Sequence, residues 1–169
     1  MILPRRLRAA VMALVAALPA AMALASSTSA DTPGSGPPPG CTGPASDTWL
    51  NVSAQGLRSG NGLLAVTLYA DVPSKFLVRR GSLYVGRVSA RRGGTQACIF
   101  VPQPGVYALA LYHDENANQK FDRTGIGLPA EGYGFSNNPA TLAGLPSFRS
   151  VRLNVPRSGL TTRVQMKYP

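Results

Sequence analysis

Histidine and tryptophan occur once each in this 169-residue chain, cysteine twice, and only seven residues are acidic. Each scarcity narrows the range of functions. A metal or catalytic role for the cysteines would need further His or Cys partners, and His113 is the single histidine. A Ser-His-Asp set can be written with His113, Asp114 and Ser136. However, adjacent strand residues point to opposite faces, so Asp114 could not orient the ring. The simpler expectation is that His113 caps its strand and hydrogen-bonds the loop that follows. Paired carboxylates for glycoside chemistry reduce to Asp114, Asp122 and Glu131, at separations the sequence does not fix. The chain therefore reads as non-enzymatic, with a small hydrolase centred on His113 as the alternative.

Long hydrophobic runs are missing beyond the N-terminus. There, Arg5, Arg6 and Arg8 precede an apolar stretch from Ala9 to Ala25, broken at Pro19, and then small residues to Ala30. This is the pattern of a secretory signal peptide over residues 1–30, with cleavage after Ala25 or Ala30. It predicts export, to the periplasm or outside the cell, with no retained transmembrane helix. In an oxidising compartment, Cys41 and Cys98 are expected to form one disulfide. Closing a loop of roughly 58 residues would stabilise the fold by about 4 kcal/mol in the chain-entropy model.

The formal net charge is +10, or +7 without the first 30 residues. The basic residues are scattered, with Arg79-Arg80 and Arg91-Arg92 as the only doublets after the leader and no aromatic-and-basic stripe beside them. Nucleic acid is therefore not an expected partner. The charge reads first as a soluble, basic surface with no partner identified, and the candidates for one are an envelope polysaccharide or another exported protein.

Residues 31–46, rich in Pro, Gly and Ser, read as a linker pinned at Cys41. From 47 to 169 the texture becomes short apolar segments between Gly, Pro, Asn and Ser. Thr48–Ala54 and Leu63–Ala70 alternate with a period of two, the mark of half-buried strands. Ser74–Val78 suits a turn or one helical turn, and Ser82–Ser89 an edge strand with Arg87 in solvent. Gln96–Val101 and Val106–Tyr112 flank Pro102-Gln103-Pro104-Gly105 and suggest a hairpin. The second of these is apolar on both faces, as a central strand is. Arg149–Val155 and Leu160–Tyr168 alternate again, with Val151, Leu153 and Val155 inward. About seven such strands predict an all-β antiparallel sandwich, immunoglobulin-like or transthyretin-like.

About 35 residues without strand patterning separate His113 from Arg149, and loops that long are usually functional. This one is too apolar for a disordered tether. It opens with Asp114, Asn116, Asn118, Lys120 and Asp122 at every second position. That spacing presents oxygens to a hard cation, with Ca²⁺ as the candidate and Lys120 contributing its carbonyl. Gln119 stands where such loops carry Gly, and Gly125 where they carry a bidentate Glu; Glu131 could substitute if the chain folds back. The competing reading is a turn whose Asx side chains bond their own backbone. Further on, Tyr133, Phe135, Asn137 and Asn138 interleave aromatics with amides. With His113 and Glu131 they make the candidate binding surface, unless the aromatics are buried and only anchor the loop. In that case the chain is a purely structural envelope domain.

The strings YALALYHDENANQKFD and GIGLPAEGYGFSNN, with Gly56-Leu57-Arg58 and Pro104–Ala108, resemble the exported bacterial family known as domain of unknown function 2141. The resemblance spans roughly Trp49–Tyr168 and is most specific over His113–Asn138. It implies a transthyretin-like or immunoglobulin-like sandwich. Members typically read Asp-Glu-Asn-x-Asn-Gly in the loop, from which Gln119 departs. No activity is implied.

Overall fold

The computed structural model describes residues 36–169, so the signal peptide expected over residues 1–30 lies outside the described residues. Eight strands follow one another: β1 Thr48–Gln55, β2 Leu63–Ala70, β3 Tyr84–Ser89, β4 Gly94–Val101, β5 Gly105–Asp114, β6 Gly132–Phe135, β7 Arg152–Val155 and β8 Leu160–Gln165. They form two facing sheets. One has the order β4-β1-β8 and the other the order β3-β2-β5-β6. The short strands β6 and β7 share one edge of β5, pairing with Ala110–His113 and Gly105–Ala108 respectively. Every pairing is antiparallel except β1 with β8, which is parallel. The result is the expected all-β sandwich. Among the described residues no helix is long and apolar enough to cross a membrane.

Period-two alternation builds the core. Leu50, Val52 and Ala54 of β1 face Leu64, Val66 and Leu68 of β2 and Leu109 of β5, all of them fully buried. Burial of each such Leu or Val contributes roughly 1.5–3 kcal/mol. As its two apolar faces require, β5 is central. Its inward residues join this core, while Ala108 and Ala110 join a second cluster on the sheet's outer face with Tyr69, Phe76, Phe135 and Val151. The 3₁₀ turn Pro73–Lys75 delivers Phe76 to that cluster.

Cys41 and Cys98 form the expected disulfide. Beside it, Thr42 makes a one-residue parallel bridge to β4, donating its N–H to the Cys98 carbonyl (3.0 Å) and accepting from the Phe100 N–H (2.9 Å). The pinned segment thus covers the outer edge of β4, an edge that would otherwise be open to pairing with another chain.

Four strand expectations need correction. Segments β4 and β5 are not a hairpin: β4 pairs with β1 and β5 with β2, so the intervening turn carries the chain from one sheet to the other. Pro102 and Pro104 have no N–H to donate across a closing ladder. Val151 belongs to a 3₁₀ turn, Phe148–Val151, and packs in the outer cluster instead of alternating with Leu153 and Val155. The last strand ends at Gln165 rather than Tyr168. Lys167 then exchanges backbone hydrogen bonds with Tyr133 of β6 (2.8 Å each way), which closes one side of the sandwich. Finally, Arg87 is half-buried on edge strand β3, with its Nε enclosed and unpartnered.

Candidate functional site

The outer face of the five-stranded sheet is laid out in cross-strand rows. Arg87, Ala65, Tyr112 and Tyr133 make one row, and Val85, Thr67, Ala110 and Phe135 the next. Thr67 and Ala110 are small, so a depression opens between their larger neighbours. Tyr69, Tyr112 and Tyr133 surround it, and the loops raise walls above it to enclose a cavity of about 500 Å³. Leu77 and Arg79 come from the segment after the first 3₁₀ turn, Phe121 and Arg123 from the long loop, and Leu145 from its later part. Tyr112 packs on Phe121 with ring centroids 5.6 Å apart, and Tyr133 on Phe135 at 5.9 Å.

The oxygen-rich stretch is the turn that raises one of these walls. Asp114 ends β5 fully buried. Its Oδ1 accepts the Asn118 N–H (3.0 Å) and its Oδ2 the Gln119 N–H (2.7 Å). Asn116 Oδ1 also accepts from Asn118 N–H (3.0 Å), and Asn118 Oδ1 from Lys120 N–H (2.8 Å). The amides of Asn116 and Asn118 both donate to Asp122 Oδ2, each at 2.9 Å. Glu131 does fold back, and its Oε2 accepts the Asp122 N–H (3.1 Å). Gln119 adopts φ +62, the left-handed backbone that glycine takes at this position most easily. In this arrangement the alternating oxygens serve the chain's own N–H groups, as in an Asx turn. Among the described residues no group of three or more His, Cys, Asp or Glu is placed to hold a metal.

Electrostatics leave the turn unbalanced. Burial raises the Glu131 pKa, the Asp122 N–H bond partly counters that, and the charges of Asp122 and Asp114 raise it further. Neighbouring Glu115 is instead held below the usual carboxylate range, chiefly by its hydrogen bonds from Arg58, with burial opposing and Ser59 assisting. The Arg58 guanidinium also lies over the Tyr168 ring, 4.7 Å from its centroid.

His113 is fully buried on the inward side, not bound to the long loop. Its Nε2 lies 2.9 Å from the Asn61 carbonyl, which can only accept, so the proton sits on Nε2. Nδ1 then accepts from the Tyr168 hydroxyl (2.7 Å), which itself accepts the Arg58 N–H (3.1 Å). Ser136 is also fully buried, accepting from Leu109 N–H (3.0 Å) and donating to the Val151 carbonyl. Being beside Leu109, it stands four residues along β5 from His113, roughly 13 Å at the rise of a strand. The hydrolase constellation is therefore not assembled.

Of the remaining surface residues, Tyr133 and Phe135 line the cavity, and Phe135 is also buried in the outer cluster. Asn137 donates to the carbonyls of Ser150 (3.1 Å) and Arg152 (2.8 Å). Asn138 donates to Arg163 O (3.0 Å) and accepts from Gln165 N–H (2.6 Å). These two amides staple the loop to β7 and β8. Sequence reasoning missed Thr67, Tyr69, Ala110 and Tyr112 as parts of a site. The available signal was a small residue beside an aromatic on the outward face of two neighbouring strands.

Comparison with curated proteins and with solved structures yields no match. One family model does match, over residues 52–163, which takes in all of β2 to β7 and every segment that walls the cavity. The chain belongs to the family described as "Uncharacterized protein conserved in bacteria", domain of unknown function 2141.

Proposed function

We propose that the chain is an exported, non-enzymatic binding domain whose ligand site is the cavity on the outer face of the five-stranded sheet. The observation that carries this reading is the join between turn and wall. Phe121 and Arg123, which line the cavity, directly follow the turn that Asp114 caps. A pre-formed concavity of this size with apolar walls and a few polar groups is the usual form of a small-molecule site. His113 and Ser136, each spent on internal hydrogen bonds, lend nothing to a hydrolase. The disulfide suits an exported address. A thermal-shift screen of small molecules against the wild type and Ala110→Leu tests the proposal. Compounds that stabilise the wild type and not the filled-floor variant support it. Equal shifts in both proteins, or none in either, would leave the structural envelope domain as the better account.

A second reading concerns the ion: the unpaired charges of Asp114 and Asp122 act on Glu131 and favour it. Among the described residues the three carboxylates are not grouped to hold a metal by themselves, so Asn116, Asn118 and the Lys120 carbonyl would have to complete the shell. No Lys or Arg among the described residues forms a salt bridge with any of the three. A Ca²⁺ ion would offset that repulsion and hold Phe121 and Arg123 in place. With Gly125 where the bidentate Glu would stand, binding falls in the weak extracellular range, about 10⁻⁴–10⁻³ M. Melting in about 10 mM Ca²⁺ against EDTA checks this, and an unchanged melting temperature would dismiss the ion.

A further inference from the structure

We infer that the cavity's ligand is a small carboxylate carried on a planar, apolar ring system, its ring against the tyrosine-rimmed floor and its carboxylate held by Arg79 and Arg123. This rests on the cavity being a binding site and adds the chemistry of what fills it.

The charge of the ligand follows from the cavity's own charged groups. Among the described residues Arg79 and Arg123 are the only ionic side chains in its lining apart from the tyrosines, and both are exposed. Among the described residues the ion pairs are Arg58 with Glu115 and Arg152 with Asp71, so neither lining arginine has a carboxylate partner. Arg123 is nevertheless positioned. Its Nη1 donates to the Gly127 carbonyl (2.8 Å) and its guanidinium lies 5.0 Å from the Phe121 ring centroid. That leaves the other donors of a planar fork for an incoming anion, the geometry that suits a carboxylate. Burial raises the pKa of Tyr112 in the cavity, and the charges of Asp114 and Glu131 help raise it, so those charges do reach the cavity and the two arginines have to outweigh them. Asp114 is buried beneath the turn, and Asp122 accepts from two amides.

The ring follows from the rest of the lining. Among the described residues no Asn, Gln, Asp or Glu side chain contributes to it. Sugars need hydrogen-bonding partners at most of their edges, and the loop's nearby amides are already committed to backbone groups. The cavity offers instead aromatic faces with apolar Leu77, Ala110 and Leu145. Among the described residues the tyrosine hydroxyls that bond within the protein are those of Tyr107, Tyr112 and Tyr168, which leaves those of Tyr69 and Tyr133 for the ligand. A bicyclic aromatic acid fits easily in about 500 Å³.

The test uses two matched probes, 2-naphthoate and its neutral analogue 2-naphthylmethanol, titrated into the purified chain by calorimetry. A double variant, Arg79→Gln with Arg123→Gln, is titrated in parallel; both sites are exposed, and unchanged melting verifies that it folds. The acid should bind about tenfold or more tighter than the alcohol in the wild type, with that preference lost in the double variant. Equal binding of both probes to the wild type would overturn the anionic ligand while leaving the cavity as a binding site. Acid binding that survives the double variant would overturn the role of the arginines. A digalacturonate probe bound in preference to naphthoate would overturn the ring. Binding of neither naphthyl probe and no sugar would count against the cavity reading itself, and with it this inference.

Discussion

Replacing Asp114 by Ala removes one buried carboxylate and two hydrogen bonds, those from Asn118 N–H at 3.0 Å and Gln119 N–H at 2.7 Å. Hydrogen bonds to a charged group contribute about 1.5–3 kcal/mol each. Asn118 and Gln119 are exposed, so water can replace the lost acceptor, and the lower value applies. The expected loss is therefore about 3 kcal/mol, or roughly 10 °C in melting temperature for a domain of this size. Asp114→Asn keeps one acceptor oxygen and no charge, so about half that loss is expected. Because Phe121 and Arg123 follow the turn, amide exchange should quicken through residues 116–123 before the rest of the sandwich opens. Urea unfolding of the three proteins, with exchange measured alongside, supplies both readouts. A loss below about 1 kcal/mol for Asp114→Ala, or equal losses for Ala and Asn, would refute the idea that this carboxylate organises the loop. If Ca²⁺ binds the turn, about ten times its dissociation constant adds roughly 1.4 kcal/mol to the wild type and nothing to Asp114→Ala.

Three further outcomes are expected. The Glu131 pKa is raised in the folded state, so that state holds its proton more firmly. Stability should then fall as pH rises through the window between the unfolded and folded values, and Glu131→Gln should flatten that fall in a series of melts and gain on the wild type at neutral pH. Changing both Cys41 and Cys98 to Ser, 57 positions apart, should lower stability by about 4 kcal/mol in denaturant titrations and expose the outer edge of β4. Gly134→Ala would place a Cβ 2.7 Å from Val164 Cγ1 and 3.0 Å from Gln165 O, so a loss of about 1–3 kcal/mol is expected by urea titration.

The strands legible in the sequence were those whose side chains report the pleat. β1 and β2 alternate cleanly because Leu50, Val52, Leu64 and Val66 face the core. β6 was not legible, since its inward positions are Gly132 and Gly134. A Cβ on them would meet the Tyr168 ring at 2.3 Å and Val164 at 2.7 Å, so close approach replaced the apolar signal. The β4–β5 connection is not legible in the sequence for a different reason. Local periodicity says that two strands exist but not which sheet edge each one finds. Within the loop, the sequence foresaw both an ion loop and a self-bonded turn, and the same side chains satisfy the second here. The cavity was beyond reach because its lining is drawn from segments between Thr67 and Leu145 that only the sheet register brings together.

Where a ligand lands on the sandwich decides whether the outer-face cavity is a binding site. Titrating the ¹⁵N-labelled protein with 2-naphthoate while following its amide resonances measures that. The prediction is that shifts concentrate at Thr67, Ala110 and Tyr133 on the outer face and at Arg123 in the loop, with β1 and β8 undisturbed. Shifts centred on β1 and β8, or spread evenly over the surface, would contradict the cavity as the binding site.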